Sequence, residues 1–492
     1  MYFKKKSNTM YRDYGSFGYI TDNRNFGYKQ LNSSGKDIGD KIVSPSGAIF
    51  FNALGREPQS IEFLAKKISE EFLDVDIETI KSDAIEFYRI LEMDGFIVSG
   101  KTIQECSNKD LRFSYEDAEI SSNKESCAIN KELKDTQDFF DQYFNNKPQL
   151  TNLHIEITSK CNERCIHCYI PHENKTTAME PKLFYSILEQ CKEMNVLHLT
   201  ITGGEPMIHE EFINFLRKCN EYNFSVNILS NLTLLSKDII EEMKKNYLLS
   251  VQVSLYSMNP SIHDKITQQK GSFEKTKNAI LELVDNNIPL QISCPIMKQN
   301  LDCYNDVIEW GKKLNINVGS DFVLIGRYNH TTQNLYNRLS ISDVQKVLEQ
   351  KIINDTNYLE SMEKEIEKKK AMKPDDYICS VCHSSICISE NGMVYPCAGW
   401  QDYELGDLNK KRLDEIWNNS SQVKYLRNLR RKDFKKCIEC QQKEFCTMCM
   451  VRNANESSDG NPFEINEYFC DVVQLNKEMV AGYKHSCINC QG

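Results

Sequence analysis

The sequence predicts an α/β protein in which a parallel sheet stands between a small α+β unit and a cysteine-rich region. Three observations carry this. Between 151 and 330, six apolar strand-like runs alternate with amphipathic helical stretches. The first hundred residues read instead as short strands followed by helices. Of the 20 cysteines, eleven crowd between Cys379 and Cys490.

At 492 residues the chain is too long for one core, so several domains are expected. A net charge of -10 argues against a general nucleic-acid or anionic-membrane binder, whose affinity comes from excess Lys and Arg. A small molecule or a peptide fits better. No run approaches the ~20 apolar residues that span a bilayer, and Met1 to Gly15 is too polar for a signal peptide. A soluble, cytoplasmic protein is expected, where cysteines bind metal or do chemistry rather than form disulfides.

Taken in order, Tyr14–Thr21 and Asn25–Lys29 read as strands around Asp22-Asn23, and Lys41–Ser44 as a third ahead of Ser46–Leu54. Ser60–Phe72 and Ile77–Met93 carry apolar residues at helical spacing, and Phe96-Ile97-Val98 follows the Asp94-Gly95 stop. This is a winged-helix-like domain over 1–100. Residues 101–150 are polar and suit a linker with one helix near Asp135–Phe144. The strands of the central region are Leu153–Thr158, Val196–Thr202, Ser225–Ser230, Leu249–Tyr256, Leu290–Met297 and Val318–Ile325. Helices at Pro181–Met194, Glu210–Glu221, Lys237–Lys245, Phe273–Asp285 and Cys303–Leu314 alternate with them, implying a parallel sheet, doubly wound or curled into part of a barrel. A helical bridge over 331–374 includes the charge-laced 358–373, and the cysteine-rich domain fills 375–492. Cys191, Cys219, Cys294 and Cys303 fall in apolar patterns and read as core residues.

Cys161-Asn-Glu-Arg-Cys165-Ile-His-Cys168 follows the first strand of the repeat, at the edge where such folds place their sites. Spacings of three and two let three thiolates wrap one face of a cubane and leave its fourth iron without a protein ligand. A structural zinc site would supply four ligands. This motif resembles the defining CxxxCxxC of the radical S-adenosylmethionine (SAM) superfamily. The resemblance implies a partial (β/α)6 TIM barrel, a SAM-chelating [4Fe-4S] cluster on Cys161, Cys165 and Cys168, and formation of a 5′-deoxyadenosyl radical. Gly203-Gly204-Glu205-Pro206, ending the second strand, is similar to the family's GGEP, which lines the methionyl amine. Paired glycines admit a close ligand, and Glu205 offers a carboxylate to an ammonium. Ser230, Asn231, Ser254, Tyr256 and Asn300 end later strands on the same edge and are further SAM-contact candidates, each equally a cap or turn residue. His167 is expected to pack over the cluster.

Cys379-x12-Gly392-x4-Cys397, then Cys437-x2-Cys440-x5-Cys446-x2-Cys449, then Cys470 resemble the SPASM extension of peptide-modifying radical SAM enzymes, with two residues rather than three between Cys446 and Cys449. By that resemblance Cys379, Cys397 and Cys449 serve a first auxiliary [4Fe-4S] cluster, and Cys437, Cys440, Cys446 and Cys470 a second, three clusters in all. Cys382, Cys387 or a substrate thiolate fills the remaining place. Ile386 and Ile388 before Gly392 suit a β-hairpin, and Cys487-Ile-Asn-Cys490 reads as a disordered end.

Ahead of such a core, the N-terminal domain is similar in pattern to PqqD-like elements, which hold a precursor's leader by strand addition. The implied function is a radical SAM peptide maturase that installs a thioether from Cys sulfur to carbon, as sactipeptide and ranthipeptide enzymes do. Its partners are a ribosomally synthesised precursor and a reductant such as flavodoxin or ferredoxin. Carbon–carbon crosslinking, or sulfatase-maturase-like oxidation of Cys or Ser, is the alternative.

Overall fold

The computed structural model describes residues 1–22, 39–72, 74–110, 144, 147–246, 248–355 and 358–489, the last seven of these by main chain alone. The expected strand Asn25–Lys29 and nearly all of the expected helix Asp135–Phe144 lie outside these residues.

The N-terminal unit runs β1 (Tyr2–Lys5), β2 (Met10–Asp13), β3 (Gly18–Thr21), β4 (Asp40–Val43), α1 (Pro45–Ala53), β5 (Gln59–Ser60), α2 (Ile61–Ser69), α3 (Ile77–Met93), β6 (Ile97–Gly100) and α4 (Ile103–Asn108). β2, β3 and β4 form an antiparallel meander, and β1 lies between β5 and β6 in a second sheet. The expected strand Tyr14–Thr21 is split. Gly15 takes φ 77°, and Tyr14 donates to the Phe17 carbonyl at 3.0 Å, so 14–17 is the hairpin turn that pairs β2 with β3. Ser44 caps α1 by accepting from the Gly47 amide, with Pro45 at the first helical position. Phe3, Phe51, Leu64, Tyr88 and Leu91 make this unit's core.

The central region alternates β7 (Asn152–Thr158), α5 (Pro181–Glu193), β8 (His198–Gly203), α6 (Phe212–Glu221), β9 (Ser225–Ser230), α7 (Lys237–Met243), β10 (Leu249–Ser254), α8 (Pro260–Thr267), α9 (Ser272–Asp285), β11 (Leu290–Ser293), α10 (Tyr304–Lys313) and β12 (Asn317–Gly319). The bridge contributes α11 (Ile341–Asn354) and α12 (Tyr358–Lys370). Strands β7 to β12 pair in parallel and in sequence order. β13 (Ser385–Ile388) adds parallel to β7, and β14 (Met393–Tyr395) and β15 (Gly406–Asp407) extend it antiparallel to nine strands. The expected hairpin around Gly392, which takes φ 86°, is thus part of the main sheet. α13 (Leu413–Asn419), α14 (Ser421–Asn428), α15 (Lys435–Ile438), α16 (Met450–Glu456) and α17 (Glu467–Asn489) complete the chain. The end expected to be disordered is therefore helical to Asn489. Val472, Val473, Leu475 and Val480 are buried there, and α17 packs on α11.

The strands have two characters. Ile155, Ile157, Leu199, Ile201, Val226, Ile228, Val251, Val253 and Ile292 are buried in the main core beneath the helices. The alternate positions are polar and partly exposed on the other face, among them His154, Thr200, Asn227, Gln252 and Gln291. That face is a polar lumen rather than a packed centre. Gln252, Gln291, Ser293, Pro295, Gly319, Ser320, Asp321 and Val323 line a cavity of about 390 Å³ in it. Among the described residues, no helix is long and apolar enough to cross a membrane.

Candidate active site

Cys161, Cys165 and Cys168 sit on the loop leaving β7, and neighbouring segments hold that loop at many points. The Arg164 and Ile166 amides donate to the Thr267 and Ile266 carbonyls at the end of α8, each at 3.0 Å. Asn337 and Asn334 side chains donate to the Ile166 and His167 carbonyls at 3.0 and 3.2 Å. The three thiols are close enough that Cys161 and Cys168 both raise the Cys165 thiol. Burial is the larger cause, pushing Cys165 well above the ordinary range and Cys161 up to about 11, with Lys175 opposing it. Such a pocket disfavours bare thiolates and suits them once a cationic centre is bound. Among the described residues no three His, Cys, Asp or Glu side chains converge on a single ion. Three thiols on a rigid loop fit the broader face of an iron–sulfur cluster.

The glycines of 203–206 act differently from the expectation. Gly203 takes φ 132°, and a Cβ there would lie 2.0 Å from the Thr158 carbonyl oxygen; at Gly204 it would lie 2.3 Å from that of Lys160. Both approach the chain that enters the cysteine loop rather than open space. The Gly204 and Glu205 amides donate to Thr158 and Lys160 carbonyls at 2.8 and 2.9 Å, tying β8 to the loop. Pro206 opens a 3-10 turn to Ile208.

Glu205 is fully buried, and its carboxylate accepts from Ser230 Oγ at 2.8 Å, the Asn231 amide at 2.8 Å and the Met207 amide at 3.0 Å. Burial raises its pKa to about 7 against these three bonds. Glu205, Ser230 and Asn231 thus form one unit joining the ends of β8 and β9. Asn231 also reaches the loop, donating to Asn162 Oδ1 at 3.0 Å. Tyr256 is buried, with its hydroxyl against Ser254 and the Cys165 thiol and its ring 5.1 Å from that of His167 in edge contact. His167 is a packed, neutral ring, its pKa lowered by burial to about 4. Asn300 bonds Tyr256 and Pro295 carbonyls and the Met297 amide, which occupies it as a turn clamp.

The later cysteines gather in two groups. Cys397 and Cys449 both lie close enough to raise the Cys379 thiol. Cys437 is raised by Cys446, Cys470 and Cys440. Of the extra cysteines, Cys382 neighbours Cys379 beside Arg427, and Cys387 neighbours Cys397 beside Glu156 and Glu390. Cys106, Cys191, Cys219 and Cys294 are buried; Cys303 is partly exposed and bonds Ser257 Oγ at 3.2 Å.

Two acids were missed. Glu156, on β7, is buried with Oε2 accepting from Gln401 at 2.6 Å and Oε1 without a partner; burial lifts its pKa to about 8. Its neighbours include Tyr169, Cys387 and Cys397, so it stands between the triplet and the first later group. A lone Glu in an apolar strand was the available signal. Glu163 lies inside the triplet, buried, with Oε2 accepting from the Cys165 thiol at 3.4 Å.

The radical SAM superfamily model matches residues 155–311, and the SPASM iron–sulfur cluster-binding model matches 379–449. The chain carries both domains, and it is an enzyme. The chain is 27% identical over 350 residues to the antilisterial bacteriocin subtilosin biosynthesis protein AlbA of Bacillus subtilis, covering 67% of this chain and 75% of AlbA. It is 26% identical to the AdoMet-dependent heme synthase of Methanosarcina barkeri, over 60% of this chain and 90% of that one. In structure it is similar to Streptococcus suis SuiB bound to S-adenosylmethionine, with TM-score 0.56, 16% identity and coverage of 95% and 99%. SuiB bound to its precursor peptide SuiA gives 0.55 at 15% identity, covering 94% and 98%. SAM and [4Fe-4S] binding follow from the two domains.

Proposed function

We propose that this radical SAM enzyme is a peptide maturase that joins a Cys sulfur to a carbon of another residue in a ribosomally synthesised precursor. The observation that carries the reading is the grouping of the later cysteines into a set of three (Cys379, Cys397, Cys449) and a set of four (Cys437, Cys440, Cys446, Cys470). Cys382 neighbours Cys379 and Cys387 neighbours Cys397, so the fourth place on the first cluster falls to one of these or to a substrate thiolate, and the reading takes the thiolate. Cys161, Cys165 and Cys168 would hold the SAM cluster, and Gly203, Gly204, Glu205, Pro206, Ser230, Asn231, Ser254 and Tyr256 frame the SAM pocket. When bound, SAM and its cluster supply a 5′-deoxyadenosyl radical that takes a substrate hydrogen atom. The chain supplies the surroundings: a polar lumen whose Gln252 and Gln291 amides suit a peptide main chain, and a buried Glu156 carboxyl beside Cys397.

The N-terminal unit supports leader recognition. In its meander, β4 is an edge strand that pairs only with β3 among the described residues, which leaves main-chain groups for an added strand. The proteins it is similar to include AlbA, which serves subtilosin biosynthesis.

Mass spectrometry of a Cys-containing precursor before and after reaction tests the reading. A loss of two hydrogens per bond, together with a Cys that no longer alkylates, is expected. The same loss with an alkylatable Cys and no new aldehyde assigns carbon–carbon crosslinking, and an aldehyde, formed from Cys with loss of its sulfur or from Ser with loss of two hydrogens, assigns maturase-like oxidation. Absence of 5′-deoxyadenosine under strong reductant would refute all three.

A further inference from the structure

The second group of cysteines lies beneath a basic face. Over residues 424–443, eight Lys and Arg stand against Asp433 and Glu439, a net charge of six positive in a chain whose total is -10. Four of these cations are exposed and flank the cysteines directly. Lys435 and Lys436 open α15, which carries Cys437; Lys443 opens the 3-10 turn that leads to Cys446; Lys432 lies one turn earlier. Lys432 pairs with Asp375 at 2.5 Å, whereas Lys435 and Lys436 have no ion pair with any described residue. Cys470 is itself exposed, and Cys437, Cys440 and Cys446 are partly so. A centre held there would be shallow.

The positive field continues inward. α12 packs against the 443–445 turn and brings in Lys369, whose side chain is only 10% exposed and pairs with Glu365 at 3.8 Å. The Arg452 guanidinium donates to the Thr447 carbonyl and lies 4.3 Å from the Phe469 ring centroid, next to Cys446 and Cys470 along the chain. Arg452, Lys369 and Arg431 all pull the Cys446 thiol down against its burial. The first group has the opposite surroundings, with Glu156 and Glu390 beside Cys387 and Glu156 beside Cys397.

Asp471 and Glu467 lie beside Cys470, so the positive charge gathers on the Cys437 and Cys446 side. A shallow redox centre with such a one-sided basic face attracts anionic partners to that side and speeds their encounter. Electron transfer needs no bond, only a close approach that such a face can provide. We propose that Lys432, Lys435, Lys436 and Lys443 form the docking surface for an acidic protein that carries one electron, seating the carrier's centre over Cys437, Cys440, Cys446 and Cys470. The proposal rests on reading those four as a cluster site. Each encounter moves one electron: the carrier is oxidised by one as the enzyme is reduced by one, or the reverse, with no bond made or broken.

An acidic flavodoxin is the probe, titrated against the reconstituted enzyme and against the Lys432→Gln/Lys435→Gln/Lys436→Gln/Lys443→Gln variant. At least a tenfold loss of flavodoxin affinity is expected, with precursor affinity unchanged. Unchanged flavodoxin affinity overturns the docking surface, and so does a variant that loses precursor affinity instead. Because Lys435 and Lys436 adjoin Cys437, the unaltered enzyme gives a second readout. Its flavodoxin affinity should fall steeply from about 50 to about 300 mM salt, as interactions between exposed charges do, and salt-insensitive binding overturns the proposal. Iron content keeps the underlying reading separate: if Cys437→Ala/Cys440→Ala binds as much iron as the parent, the cluster site fails whatever the carrier does.

Discussion

At Cys161, Cys165 and Cys168 the sulfurs lie near enough to act on one another and to feel Glu163 and Lys175, whereas Cys191, Cys219 and Cys294 lie within the main apolar core. That contrast was legible because spacings of three and two have no packing reason. Replacing the three with Ala should abolish SAM cleavage while iron remains at the C-terminal cysteines, read by iron analysis and 5′-deoxyadenosine assay; complete loss of iron would contradict separate sites. Glu156 was not legible, since one carboxylate in a strand reveals neither which face it takes nor what surrounds it. His198 likewise gave no sequence signal, yet it titrates in a predictable way. Burial lowers its pKa from 6.5 to about 3, so the native state holds it neutral while the unfolded chain protonates below about 6.5. Its contribution to stability is therefore full above pH 6.5 and is lost as pH falls toward 3, by up to about 1.4 kcal/mol per unit. Denaturant titrations at pH 7 and pH 5 should show a smaller acid loss for His198→Gln than for the parent.

Among the elements, the six parallel strands were found in place because apolar runs alternate with amphipathic helices, although β11 (Leu290–Ser293) and β12 (Asn317–Gly319) stop well short of the expected Leu290–Met297 and Val318–Ile325. β9 spans Ser225–Ser230 as expected, and α3 spans Ile77–Met93. Helix ends were sharper than the periodicity alone allows. Asn195, Asn223, Asn287 and Asn315 each follow a helix with φ between 53° and 57°, the left-handed stop that Asn tolerates. β1 escaped notice because Lys4 and Lys6 are buried to below 9% exposure, their charges hiding a strand. The lumen was also hidden, since inward polar residues within parallel strands look like noise in an apolar run. The loop-to-strand joint at Gly203 can be tested directly. Gly203→Ala must leave φ 132° or drive its Cβ into the Thr158 carbonyl, so it should cost about 3 kcal/mol or more and weaken SAM binding. Calorimetric unfolding and SAM titration would measure both, and a parental melting temperature would show that the joint has slack.

Across the whole molecule, the N-terminal unit is fixed to the end of the main sheet at which its parallel strands begin. Arg12 donates to the Val196 and Asn223 carbonyls at 3.1 and 2.9 Å, Tyr14 donates to that of Asn195 at 3.1 Å, and Met10 and Tyr19 pack with Leu197 and Leu248. All of these contacted residues precede the strands, whereas the cysteine loop follows β7 at the opposite edge. A leader held on the N-terminal unit therefore starts on the far side of the sheet from the triplet. β8 has six residues from His198 to Gly203, so its rise separates the two edges by roughly 20 Å at ~3.3 Å per residue. An extended peptide needs at least about six residues to cover that distance, and more if it rounds the sheet. Precursors whose segment between leader contact and first modified residue is cut below this length should bind with parental affinity yet emerge unmodified. Modification that persists in such a precursor would mean that the N-terminal unit swings off its Arg12 anchor during the reaction, a motion that Arg12→Ala should then make easier.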